Sequence, residues 1–175
     1  GSPDAIFADK RAHLEAYRAD VAEFLAAARA SWPRHVVDVV AELRAWFEPL
    51  LELAPLTRAG VGGPVLLRLT DDPSTDPRPL DVVIDFPAGT VRTVGPADTF
   101  AYSLTLDRAL VEWCILERAE DWVNEIFLSA RFRAHREGPY NEYIYTFFKC
   151  LSVERMAYRS EEHTSELQSR GLISY

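Results

Sequence analysis

Residues Leu80–Val94 read LDVVIDFPAGTVRTV, and their texture decides the fold. Asp81, Val83 and Asp85 alternate with Val82, Ile84 and Phe86, a two-residue period that sends one set toward a core and leaves the other on an open face. Pro87-Ala88-Gly89 breaks that run, so Thr90–Val94 returns as a hairpin partner. The same reading applies on either side. Val65–Thr70, Leu80–Phe86, Thr90–Val94 and Phe100–Leu106 are expected to be short strands, with Gly95-Pro96 as a second tight connection and an antiparallel meander as the arrangement. Residues 71–79, DDPSTDPRP, form a rigid polar loop.

Upstream, Leu14, Tyr17, Val21, Phe24, Leu25 and Ala28 recur at helical steps from Asp9 until Trp32-Pro33. A second apolar face, Val36, Val39, Val40, Leu43, Trp46, Phe47, Leu50 and Leu51, predicts another helix, capped by Ser31, kinked at Pro49 and stopped at Pro55. Gly60–Pro64 reads as a hinge. Downstream, Asp107 is a plausible N-cap for a helix through Leu110, Val111, Cys114 and Ile115, with a break between Ala119 and Asn124. IFLSARFRAHR alternates strictly from Ile126 to Arg136 and is expected to be a fifth strand, with Arg131, Arg133 and His135 on one side. A last helix from Tyr140 to Glu154 carries Tyr143, Ile144, Phe147, Phe148 and Leu151 inward. The expected class is α+β: a helical hairpin over residues 1–56, then a sheet domain over 57–158 of about five mainly antiparallel strands covered by helices.

At 175 residues, with 48% hydrophobic and 26% charged, the chain has ample core and no apolar run long enough to span a bilayer. A net charge of −8 argues against broad nucleic-acid binding. Cys114 and Cys150 have no CxxC spacing, which suits a reduced, cytoplasmic protein. The sequence begins without Met, and Arg159–Ser169, RSEEHTSELQS, resembles a translated sequencing adapter; residues 159–175 are therefore read as non-native and the chain as a fragment of a longer, environmental protein.

Motif chemistry is sparse. No HxH, HxxxH or CxH occurs. The Gly60–Gly63 run precedes a strand and lacks a P-loop lysine. Asp81 and Asp85 are expected on an exposed sheet face, and Glu112, Glu117, Glu120, Asp121 and Glu125 on a solvated helix surface. No catalytic or metal-binding residue is assigned. The concentrated signal is the basic, aromatic stretch after Trp122. Arg131, Arg133, His135, Arg136, Tyr140 and Tyr143 are the candidate ligand- or partner-binding residues, because guanidinium forks beside aromatic faces suit anions and partner surfaces.

FADKRAHLEAYRADV, WFEPLLELA and DWVNEIFLSARFRAHREGPYNEYIYTFFKCLSVER resemble the later portion of bacterial sugar-nucleotide hydroxylases, in which a metallo-β-lactamase-like module is joined to a Rieske [2Fe-2S] domain. That family binds its cluster through CxH and CxxH pairs, absent here. The resemblance implies an accessory domain of an oxidoreductase, without a cofactor of its own, with [2Fe-2S] in the full-length parent. Neighbouring domains of that parent and an anionic sugar nucleotide are then the expected partners. The strand and helix order is also similar to the sterol-carrier-protein lipid-binding fold. That likeness implies an apolar ligand as the alternative, in a cavity lined by Val82, Ile84, Phe86 and the Tyr143–Leu151 helix, or else a purely structural docking domain.

Overall fold

The structure is a computed structural model that describes residues 9–71 and 79–158, so the loop centre, residues 72–78, and the tail, residues 159–175, lie outside the described residues. The chain divides into two compact units, Gly1–Pro33 and Arg34–Tyr175. The first holds α1, Lys10–Ser31, which ends at Trp32 as expected and buries none of its own side chains. In the second, α2 (Val39–Glu52), α3 (Pro55–Val61), β1 (Pro64–Thr70), β2 (Leu80–Asp85), β3 (Thr90–Thr93), β4 (Tyr102–Asp107), α4 (Arg108–Leu116), a π turn (Val123–Phe127), β5 (Phe132–Arg136) and α5 (Glu142–Lys149) follow in order. Residues 153–158 add a final helical segment. The helix that sequence reading pairs with α1 belongs to the sheet unit, because Leu43, Trp46, Phe47, Leu50 and Leu51 are all buried there.

The α+β class and the four early strands are as expected within a residue or two. Topology differs in one respect. The strand order is β3-β2-β1-β4-β5, and β4 lies parallel to β1 while the other pairings are antiparallel. The chain therefore crosses from the β3 edge to the far side of β1 rather than meandering on. Residues 94–101 are long enough to make that passage, a choice that strand periodicity does not encode.

Each local correction has a visible cause. Asp38, not Ser31, caps α2 by accepting from Ala41 N–H at 3.1 Å, while Ser31 Oγ donates back to Ala28 O. Pro55 opens α3 at its first turn, where a missing N–H costs nothing, and Gly62 closes that helix in the left-handed region at φ 68°. Asn141 caps α5, and Cys150 ends it, so the expected Tyr140–Glu154 helix is split. Ile126–Arg131 is not strand: Ile126 and Phe127 lie in the π turn, and Arg131 N–H donates to Ile126 O at 3.0 Å. Its alternation arises because Ile126 is buried while the Phe127 and Phe132 rings meet at a tilt of 42°, with 4.8 Å between centroids.

Glu112 is the largest departure from the expected surface. It is fully buried on α4, where Oε1 accepts from Arg108 Nε at 2.8 Å and Oε2 accepts from Val36 N–H at 2.9 Å. A paired and hydrogen-bonded carboxylate tolerates burial, and here it fastens the segment entering α2 onto α4. Asp107 caps α4 as expected, accepting from Ala109 N–H. On the outer sheet face Asp81 takes a bidentate pair from Arg68, at 2.8 and 2.9 Å. Arg92 reaches both Asp85, at 3.2 Å, and Asp98, at 2.6 and 2.9 Å.

Two outcomes follow from these pairs. Glu112→Ala leaves Arg108 and the Val36 N–H unmet, so urea denaturation should show a loss of about 2–3 kcal/mol; a loss under about 0.5 kcal/mol would mean that the carboxylate is solvated. The Arg92 guanidinium and the Gly95 N–H hold the Asp98 carboxyl down at about 2, below its ordinary 3.8. The unfolded chain therefore takes up that proton first, and this contribution is present above pH 3.8 and lost as pH falls through about 2. Asp98→Asn should remove that part of the acid limb in a stability-versus-pH series, and an unchanged limb would contradict it.

Candidate functional site

The sheet has two edges, and they are finished differently. At the β3 edge, Val91 N–H donates to Glu48 Oε1 at 2.8 Å and Val91 C=O accepts from Arg44 Nε at 3.0 Å. Two side chains one turn apart on α2 thus close that edge. Their i, i+4 spacing is visible in the sequence, but its use as a clamp on a strand is not.

At the β5 edge no such clamp is present among the described residues. Glu137 N–H donates to Ala101 O at 2.8 Å, in register with Ser103 opposite His135 and Thr105 opposite Arg133. Ladder bonds in an antiparallel pair fall on alternate residues. The N–H and C=O groups of Phe132, Ala134 and Arg136 therefore turn away from β4, and none of them is hydrogen bonded among the described residues. On the outer face of this strand stand Arg133 and His135, both exposed and, among the described residues, without an ion pair. On the opposite side are half-buried Phe132, exposed Ala134, and Arg136, whose guanidinium sits 5.6 Å from the Tyr140 ring centroid.

The six candidate residues are thus only partly brought together. Arg133, His135, Arg136 and Tyr140 cluster along β5 and the turn after it. Arg131 precedes the strand and has partners of its own, so it does not share the face of Arg133 and His135. Tyr143 is half-buried on α5, packed so closely over Gly60 that a Cβ there would fall 2.5 Å from its ring. It is a packing residue. Asn141 secures the same junction, donating from Nδ2 to Gly60 O at 3.0 Å.

The expected apolar cavity is occupied by the protein's own rings. Val82, Ile84 and Phe86 are wholly buried, and the Phe86 and Phe147 centroids are 5.1 Å apart. Phe47 meets Trp122 at 5.5 Å and Phe147 at 5.4 Å, while Trp122 stacks on Phe148 at 5.5 Å. Within this cluster Trp46 Nε1 donates to Leu151 O at 2.9 Å, but buried Trp122 Nε1 has no acceptor among the described residues. Two surface clefts of about 480 and 490 Å³ lie elsewhere. Most of their polar side chains are committed: Arg58 donates to Phe86 O and Pro87 O, and Arg44 and Glu48 hold Val91, while Glu52 at the rim of the second cleft is exposed.

The residues present do not fit a Rieske [2Fe-2S] centre. Cys114 and Cys150 are both buried, and burial, reinforced by nearby Glu125, pushes the Cys114 thiol up to about 12, so it stays protonated and unreactive. Among the described residues no group of three or more His, Cys, Asp and Glu is placed to hold a metal.

With the fold established, comparisons place it among known proteins. The family model described as Rv3818-like, SCP2-like domain matches residues 39–165. A protein of Mycolicibacterium smegmatis that bears the name of a Rieske 2Fe-2S iron-sulfur protein is 44% identical over 158 residues, which is 89% of this chain and 30% of that protein. A Mycobacterium tuberculosis protein of the same name is 41% identical over 157 residues, 89% of this chain and 29% of that one. The chain thus spans about 30% of the length of these relatives. Among solved structures, sterol carrier protein 2 of Yarrowia lipolytica is similar at a TM-score of 0.38 and 11% identity, over 71% of this chain and 91% of that one. The SCP2-like 2 protein of Aedes aegypti gives 0.32 and 14%, over 51% and 84%. The match over residues 39–165 shows that the chain belongs to the Rv3818-like, SCP2-like domain family.

Proposed function

We propose that this chain is the SCP2-like accessory domain of a Rieske-type oxidoreductase and contributes contact surface rather than chemistry. The observation that carries this reading is the identity of 44% across 89% of the chain to a Rieske-named protein of which the matched residues make up 30%. In this reading the [2Fe-2S] ligands lie in the rest of the longer protein. The sugar-nucleotide hydroxylase resemblance supplies the finer form, an enzyme acting on an anionic substrate held outside this domain.

A second reading, an apolar-ligand carrier, is favoured by the family and by the unmet Trp122 Nε1, which could serve a ligand oxygen inside the ring cluster. The packed rings weigh against it. Iron and sulfide reconstitution of this chain and of the full-length M. smegmatis relative, read by electron paramagnetic resonance, tests the first reading. A Rieske signal is expected only in the relative. A signal in the isolated chain, or none in either, would overturn it. Native mass spectrometry of the chain should give a bare mass, and a co-purifying acyl ligand would favour the carrier.

A further inference from the structure

We infer that the open β5 edge takes up an extended segment of the longer protein as a sixth strand, and that this segment alternates acidic and apolar residues. The inference rests on the accessory-domain reading for its source, and on four observations for its chemistry. The β3 edge is closed by Arg44 and Glu48, whereas the outward groups of Phe132, Ala134 and Arg136 are unmet among the described residues. Unpaired strand edges are templates for another strand. The outer face of β5 carries the cation Arg133 at mid-strand beside His135, with Glu137 one step beyond the strand end, in a chain of net charge −8. The other face offers half-buried Phe132 and exposed Ala134 beside buried Leu104 and Leu106 of β4.

An added strand places its side chains on the two faces in turn, so one set meets Arg133 and His135 while the other extends the apolar row. Acidic residues fit the first set and β-branched residues the second. Charged side chains on an edge also deter self-association. Here the mid-strand charge is Arg133, so two β5 edges repel each other at that position while an acidic residue is drawn to it, which disfavours a second copy as occupant.

A short peptide alternating Glu and Val tests the chemistry by titration calorimetry. The chain should bind it, with affinity falling as salt rises. Arg133→Glu with His135→Glu should weaken binding at least about ten-fold and create binding to the Lys and Val counterpart, because like charges would now face the acidic peptide and opposite charges the basic one. Ala134→Pro removes an N–H that points away from β4, so the fold should survive by circular dichroism while binding of the Glu and Val peptide is lost. No binding, or binding indifferent to these variants, would overturn the inference. Hydrogen exchange in the full-length M. smegmatis relative and in its isolated matching domain tests the source. The outward amides of the equivalent strand should be slower in the full-length protein; equal rates would overturn the inference even if a Rieske signal there upholds the accessory-domain reading.

Discussion

Phe47 is the point on which the sheet unit turns. Its ring meets Trp46, Trp122, Phe147 and Phe148 at centroid distances of 5.3 to 6.3 Å, mostly edge to face. These residues come from α2, the approach to the π turn, and α5, so one ring holds together elements distant in sequence. Each large buried ring contributes about 2–3 kcal/mol through removal from water, and a well-oriented pair adds about 0.5–1.5 kcal/mol. The Trp46 N–H bond to Leu151 O and the Leu151 N–H bond to Glu120 O pin the polar backbone at the rim of the same cluster.

Much of the fold was legible because local chemistry and tertiary packing agree. Period-two alternation locates β1 to β4, Asp107 and Trp32 mark helix ends, and apolar spacing picks out the buried face of α2. Reading failed where a residue's role depends on something far along the chain. Glu112 looks like a surface acid, yet it sits in the apolar run RALVEWCIL with an arginine four positions earlier, a pairing that could have signalled a buried ion pair. The alternation of Ile126–Arg131 is real, but ring packing around Phe127 uses it in a π turn. The parallel placement of β4 beside β1 is a matter of chain routing, on which strand composition is silent.

The candidate site was legible as chemistry but not as geometry. Arg131, Arg133, His135, Arg136, Tyr140 and Tyr143 stand out in the sequence because basic and aromatic residues gather there against the charge of the whole chain. What the sequence could not convey is that β5 is an edge strand, with one side of its backbone unmet among the described residues. Nor could it separate Arg131 from that face, or show Tyr143 spent on Gly60. The contrast between the closed β3 edge and the open β5 edge emerges only when α2, which lies far from both in sequence, is seen to reach β3.

Equilibrium denaturation of Phe47→Ala tests the filled interior most directly. If Phe47 is the common neighbour of four packed rings, its removal leaves a cavity that the sheet and helices cannot close, and the loss should be about 3–5 kcal/mol, with the near-ultraviolet tryptophan signal weakened in the folded state. A loss below about 1 kcal/mol with an unchanged tryptophan signal would contradict the account, because an interior that barely registers the missing ring has room for a ligand.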